Sequence, residues 1–176
     1  RSPLARSSAA SDVYKRQEAQ SLVDDFDAAV ERAKAAYDDA DTVMAVNTSG
    51  GEIGYLAPTV GRSLGPIYDI LGMTPALEVA DASDDHQGDD ISVEAIAAST
   101  PDWLLVLDRD AVFAAETPDY VQASEILESS EALAGVTAVA DEQIVYMPTD
   151  TYLNEGIQTY TTFLNDLADA LEAAQK

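Results

Sequence analysis

The sequence predicts an α/β fold in which a mostly parallel sheet is flanked by helices and a long C-terminal helix packs beside it. Helical and strand-like segments alternate along the chain, which is typical of parallel strands joined by helical crossovers. Residues 42–47 (TVMAVN) and 103–107 (WLLVL) are short apolar runs, as expected for strands buried on both faces. Residues 154–175 carry apolar side chains every three or four positions, the spacing of an amphipathic helix.

Apolar spacing and turn residues give the expected bounds of each element. Strands are predicted at 42–47, 73–79, 103–107 and 143–147. Helices are predicted at 18–40, 61–71, 93–98, within 120–133 and at 154–175. Ser92 is the predicted N-cap of the third helix, and Gly72 the stop signal of the second. The segment 48–51 (TSGG) is interpreted as the loop that leaves the first strand.

The charge balance is the strongest global feature. Nine Lys and Arg residues stand against 33 Asp and Glu residues, which gives a formal net charge of −24. Such a surface repels nucleic acid, so no nucleic-acid partner is expected, and most of the acids are interpreted as a solubility adaptation. The absence of cysteine excludes disulfides, thiolate metal sites and cysteine nucleophiles.

Residues 1–17 differ in composition from the rest and have no apolar period. We predict that they are a non-native or disordered leader, because SAASDVYKRQ resembles a translated sequencing adaptor. The predicted domain is therefore 18–176, with five cations against 32 acids. Only two of those cations, Arg62 and Arg109, lie away from the first predicted helix and the last residue.

Arg109 lies at the end of the predicted strand 103–107, after Asp108, and Arg62 lies at the start of the predicted helix 61–71. Ligands of such sheets bind near the carboxyl ends of strands, and a guanidinium presents a planar fork of donors to oxyanions. The alternatives are structural: Arg109 pairs with the neighbouring Asp108 or Asp110, and Arg62 pairs with a surface acid.

His86 is the only histidine and stands in a loop among four acids, Asp84, Asp85, Asp89 and Asp90. The acids favour its cationic form, and the loop is either a divalent-cation site or simply a solvated acidic loop. Tyr152 lies between the last predicted strand and the last helix, so it is expected at the same edge of the sheet. Its oxygen is a hard ligand suited to ferric iron, and the alternative is packing against Tyr160 or Leu153.

Catalytic patterns are poor, and the chain is not expected to be an enzyme. No serine stands in a nucleophile elbow, and TSGGE (48–52) lacks the lysine of a phosphate-binding loop. A hydrolase would need a histidine beside a nucleophile. An α/β signalling or metabolite-sensing module stays an alternative, although no lysine accompanies a candidate phosphoacceptor aspartate.

Four segments in order resemble the C-terminal half of ferric-siderophore substrate-binding proteins, in the catecholate and petrobactin-type branch of the helical-backbone periplasmic binding proteins of ABC importers. They are GRSLGPIYDILGMTPA (61–76), HQGDDISVEAI (86–96), PDWLLVLDRDA (101–111) and QIVYMPTDTYL (143–153). The resemblance covers about residues 18–176. It implies two Rossmann-like lobes with ligand in the cleft, of which this chain would contain the second.

The resemblance also implies residue roles. Arg62 and Arg109 would bind the anionic catecholate oxygens, while His86 and Tyr152 would coordinate the ferric iron of the bound siderophore. Gln87 separates His86 from Gly88, which places the histidine one residue out of the family's register. Asp69 would dock the transporter permease.

No intrinsic cofactor is implied, and the iron arrives as the siderophore complex. The protein would be a monomer at the cell envelope, periplasmic or extracellular and lipid-anchored, with the signal and anchor absent from this sequence. Haem, cobalamin and hydroxamate siderophores are the alternative ligands within the family.

Overall fold

The computed structural model describes residues 3–85 and 87–175, and side chains from residue 12 onward. The helices are α1 (Pro3–Ala36), α2 (Gly65–Leu71), α3 (Val93–Ser99), α4 (Ala111–Ala114), α5 (Ala123–Glu128), α6 (Thr137–Ala140) and α7 (Ile157–Ala174). The strands are β1 (Thr42–Ser49), β2 (Glu52–Leu56), β3 (Thr74–Pro75), β4 (Trp103–Asp108) and β5 (Ile144–Tyr146).

The strands form one sheet in the order β2-β1-β4-β5, with β3 beside the start of β1. β3 and β4 run parallel to β1, and β5 runs parallel to β4. Only β2 is antiparallel. The predicted α/β class with a mostly parallel sheet and a long C-terminal helix is confirmed.

Both faces of the sheet are buried, as the apolar strand sequences predict. Val43 and Ala45 face one core with Leu105, whereas Met44 and Val46 face the other. The first core is closed by α1, α2 and α7, and the second by α3, α5 and α6. Side chains alternate along β1 and β4, so each strand contributes to both cores.

The largest departure from the predicted topology is β2. β1 and β2 form a hairpin that pairs Ser49 with Glu52 through Gly50 and Gly51, whose φ angles are 60° and 82°. A two-residue turn with two positive φ angles strongly favours Gly-Gly. The segment 48–51 is therefore the end and turn of a hairpin, and its interpretation as an exit loop was wrong.

Other boundaries also moved. Ser63 has a φ angle of 61°, which interrupts helical geometry, so α2 begins at Gly65 and Arg62 lies in the preceding turn. Its charge therefore does not sit in the first turn of the helix. β3 has two residues instead of the seven predicted at 73–79. Ser92 caps α3 as predicted, accepting from the Ala95 backbone N–H.

Helix α1 begins at Pro3, within the segment predicted as a leader, rather than at residue 18. Three alanines and three arginines of residues 1–17 favour a helix, because both residue types are strong helix formers. That residues 1–17 are a non-native or disordered leader stays a prediction. No helix in the described ranges is long and apolar enough to cross a membrane.

The chain has 33 acidic and nine basic residues, so its thermal stability is predicted to depend on salt concentration. Raising NaCl to about 0.5 M shortens the screening length to a few ångströms and weakens repulsion among the carboxylates. We expect the melting temperature to rise by about 5–10 °C from low salt. Differential scanning calorimetry across a NaCl series measures it. The rise should shrink near pH 4.5, where carboxylates begin to protonate, and a melting temperature that falls with NaCl contradicts the prediction.

Candidate functional site

Three of the four residues predicted to bind ligand come together around one aromatic ring. The guanidinium carbon of Arg62 lies 4.8 Å from the centroid of the Tyr152 ring, and that of Arg109 lies 5.2 Å from it. Both distances are within the range of cation–π attraction. The two interior arginines of an acidic chain therefore converge on a single tyrosine, which we call the arginine–tyrosine cluster (Arg62, Arg109, Tyr152).

Arg109 is held at the carboxyl ends of the two central strands. Its backbone N–H donates to the Thr48 carbonyl at 3.1 Å, and its Nη1 donates to Ser49 Oγ at 3.0 Å and to Asp110 Oδ1 at 3.1 Å. The other oxygen of Asp110 accepts from the Gly50 N–H in the hairpin turn. The predicted ion pair with a flanking acid is thus present, and it fixes the arginine against the β1–β2 hairpin.

The Arg109 guanidinium is not fully satisfied by these contacts. Its Nε is buried without a hydrogen-bond partner among the described residues. The side chain is 21% exposed, so the remainder of the group reaches the surface. A guanidinium with unused hydrogen-bonding capacity at a surface is suited to receive an anion.

Arg62 is exposed in the turn before α2, whose neighbouring residues are buried. Within the described side chains it forms no ion pair, so the alternative of a surface salt bridge is not supported there. The Arg62 charge affects the pKa of Tyr160. The Tyr160 hydroxyl lies 2.8 Å from the Ser63 carbonyl and 2.7 Å from Glu155 Oε1. Burial and the Glu155 carboxylate raise the pKa of Tyr160, and the Arg62 charge partly offsets that rise.

The Tyr152 ring packs against the ring of Phe113. The ring centroids are 5.5 Å apart and the ring planes are inclined by 72°, an edge-to-face arrangement. No described residue hydrogen-bonds to the Tyr152 hydroxyl, whose oxygen is therefore available. Phe113 was not predicted from the sequence, and the only signal for it is its position four residues after Arg109.

His86 lies outside the described residues, but the loop around it is placed. Asp89 pairs with Tyr55 of β2 through two backbone hydrogen bonds of 3.1 and 2.8 Å. Asp85 and Gln87 line a cavity of about 190 Å³ together with Ser49, the residue that also accepts from Arg109. The loop is therefore fastened to the same end of the sheet as the arginine–tyrosine cluster.

The acidic loop does not assemble a divalent-cation site within the described part of the chain. No group of three or more potential metal ligands is gathered there. The Asp89 carboxylate instead accepts from the backbone N–H and hydroxyl of Ser83.

Asp69 lies on the exposed side of α2, where its Oδ1 accepts from Thr59 Oγ1 at 3.1 Å. It is accessible for contact with another protein, and its docking role stays a prediction.

The arginine–tyrosine cluster reaches the protein surface, because the Arg62 side chain is exposed and that of Arg109 is 21% exposed. Two concavities of about 630 Å³ lie elsewhere, one between β2 and α5 and one beside Asp108, Tyr120 and Tyr146. Neither is lined by a residue of the cluster.

Comparison with known proteins finds similarity to periplasmic binding proteins and siderophore-binding proteins. The chain is 28% identical over 131 residues to the petrobactin-binding protein YclQ of Bacillus subtilis (strain 168), covering 73% of this chain and 38% of YclQ. The YclQ crystal structure gives a TM-score of 0.73 at 22% identity, covering 90% of this chain and 53% of YclQ. At that identity the likeness shows the fold alone.

Two further structures give the same picture. A TroA-like periplasmic binding protein from Xylanimonas cellulosilytica has a TM-score of 0.70 at 29% identity, over 90% of this chain and 53% of that one. FeuA of Bacillus subtilis, complexed with ferri-bacillibactin, has a TM-score of 0.65 at 20% identity, over 90% and 55%. The chain thus spans about half the length of these structures.

The sequence model described as periplasmic binding protein matches residues 8–151, most of the chain. The chain therefore belongs to the periplasmic binding protein family.

Proposed function

We propose that the chain binds a ferric siderophore of the catecholate type on its arginine–tyrosine cluster and is the second lobe of a binding protein that delivers iron to an ABC importer. The observation that carries this proposal is the convergence of Arg62 and Arg109 on the Tyr152 ring. Two positive charges less than about 10 Å apart create a local field that salt screens only in part.

The chemistry of the cluster fits an anionic chelate. Ferric catecholate complexes carry net negative charge, so a chain with a net charge of −24 repels them except where cations are concentrated. Guanidinium groups make charge-assisted hydrogen bonds to such oxygens, and these bonds set both affinity and orientation. Hydroxamate and cobalamin ligands would not need both arginines.

The relatives support the same ligand class. YclQ is named a petrobactin-binding protein, FeuA was crystallised with ferri-bacillibactin, and BauB was crystallised with two acinetobactin molecules and ferric iron. Family membership also favours a binding protein over a signalling module or an enzyme. The chain covers about half of these structures, so we infer that another lobe completes the cleft.

Tyr152 and His86 complete the proposed site as ligands to the ferric iron of a siderophore that leaves coordination positions open. The unengaged Tyr152 hydroxyl and the placement of Asp85 and Gln87 near Ser49 support these roles. Asp69 is the proposed contact to the permease. A monomer at the cell envelope, periplasmic or extracellular and lipid-anchored, is the corresponding setting.

The double substitution Arg62→Gln/Arg109→Gln tests the proposal. We expect it to weaken binding of a ferric bis-catecholate by about 20- to 100-fold, because each side chain loses charge-assisted hydrogen bonds. Isothermal titration calorimetry on the 176-residue chain measures the affinity. Trp103 is a poor reporter, since it lies at the opposite end of β4 from Arg109.

Arg32→Gln/Lys34→Gln is the matched control, because it removes two positive charges from α1, where Arg32 pairs with Glu172 of α7. It should leave binding within about twofold of the wild type, apart from long-range electrostatics. Equal losses in both double variants, tighter binding of a ferric hydroxamate, or no saturable binding of the catecholate at millimolar concentration would each contradict the proposal.

A further inference from the structure

Three exposed apolar side chains lie next to residues of the arginine–tyrosine cluster, two of them along the chain and one by direct contact. Val60 is 45% exposed and precedes Arg62 by two residues, and Leu153 is 66% exposed and follows Tyr152. Phe113 is 56% exposed and contacts Tyr152 directly. Single exposed apolar residues are ordinary on protein surfaces, but Phe113 is both exposed and in contact with the tyrosine on which two guanidinium groups converge, so an apolar group and an anionic group can meet the protein there together.

Phe113 is the aromatic ring of this site that remains free. The Tyr152 ring already contacts two guanidinium groups and Phe113, whereas more than half of the Phe113 surface is open. Its position is also fixed. The Phe113 N–H donates to the Asp110 carbonyl at 3.0 Å, and the Ala111 N–H at the start of α4 donates to Asp108 Oδ1 at 3.0 Å.

We infer that Phe113 contacts the ligand by packing against an aromatic ring of the chelator, and that it makes the site select aromatic over aliphatic iron chelates. The inference rests on the proposed function. A catecholate has two unlike parts, an edge of anionic oxygens and a flat apolar ring. The arginine–tyrosine cluster receives the oxygens, and Phe113, which contacts the Tyr152 ring, receives the apolar ring.

Substitution at Phe113 measures the contribution of the ring. We expect Phe113→Ala and Phe113→Leu to weaken binding of the ferric 2,3-dihydroxybenzoate complex by about three- to tenfold, the size of one aromatic pair. Phe113→Trp, which keeps a ring, should bind within about twofold of the wild type. Binding of ferric citrate, an anionic chelate without a ring, should be unchanged in every variant. Val121→Ala, at an exposed apolar residue outside the cluster, is the control.

A second measurement detects the contact itself. The gallium complex of 2,3-dihydroxybenzoate is a diamagnetic substitute for the ferric complex, and the chain has only three phenylalanines, so selective labelling resolves Phe113. We expect intermolecular nuclear Overhauser effects between the ligand ring protons and the Phe113 ring. They should be absent in Phe113→Leu.

The outcomes separate this inference from the proposed function. Unchanged catecholate affinity in Phe113→Ala, together with loss in Arg62→Gln/Arg109→Gln, overturns the inference and leaves the proposed function standing. Equal weakening of catecholate and citrate also overturns it, because Phe113 would then act only by holding Tyr152. Failure of the wild-type chain to bind the catecholate overturns both.

Discussion

Replacing Asp108 with alanine should lower the free energy of unfolding by about 3–5 kcal/mol, because its carboxylate ties together three separate groups. Its Oδ1 accepts from the Ala111 N–H at 3.0 Å, and its Oδ2 accepts from the Tyr120 hydroxyl at 2.6 Å and the Ala123 N–H at 3.0 Å. The carboxylate thus fixes α4, the following loop and the start of α5 to the end of β4. The pKa of Tyr120 is raised to about 12, mainly because the hydroxyl is desolvated by burial and also because it is hydrogen-bonded to Asp108.

Urea unfolding followed by circular dichroism measures this loss. Asp119→Ala is the matched control, since it removes the same charge from an exposed position in the same loop and should change stability by less than about 0.5 kcal/mol. Asp108→Asn should fall between the two, because an amide keeps one acceptor oxygen. A cost for Asp108→Ala no larger than that for Asp119→Ala contradicts the prediction.

The elements that could be predicted from sequence are those with a strong local signal. The strands at 42–47 and 103–107 are uninterrupted apolar runs, and Ser92 has the side chain and position of an N-cap. β2 was missed because Gly54 interrupts its pattern and Gly50-Gly51 fits either a loop or a tight hairpin. Deciding between those two needs the pairing partner, which a local pattern does not contain.

Some residues of the site could also be predicted from the sequence, and others could not. Arg62 and Arg109 could be singled out because cations are scarce in this sequence and because Arg109 ends a strand. Their approach to one ring depends on how three loops pack, so no spacing along the chain encodes it. Phe113 escaped notice because α4 has only four residues, too few to show a helical period. Exposure and the ring contact, which identify Phe113, are properties of the tertiary structure.

Gly54→Ala should lower the free energy of unfolding by about 2–4 kcal/mol, through overpacking and the loss of two backbone hydrogen bonds. A Cβ at Gly54 would lie 2.0 Å from the Gln87 carbonyl oxygen and 2.5 Å from Asn47 Oδ1. The first contact is with backbone, so the loop carrying His86 must move away from β2. That movement breaks the pairing of Tyr55 with Asp89. Urea unfolding measures the loss.

Gly135→Ala is the control, because a Cβ at Gly135 meets no atom within 4 Å. It should be close to neutral, and a Gly54→Ala variant that is equally neutral contradicts the close packing of the loop.

The same variant separates the loop from the arginine–tyrosine cluster, because the atoms nearest a Cβ at Gly54 belong to Gln87 and Asn47. If His86 coordinates iron, Gly54→Ala should weaken binding of a ferric bis-catecholate but leave a ferric tris-catecholate, which offers no open coordination position, nearly unaffected. If the wild type and the variant bind both chelates with equal affinity, the loop does not contact the ligand. The arginine–tyrosine cluster alone would then form the binding site on this lobe.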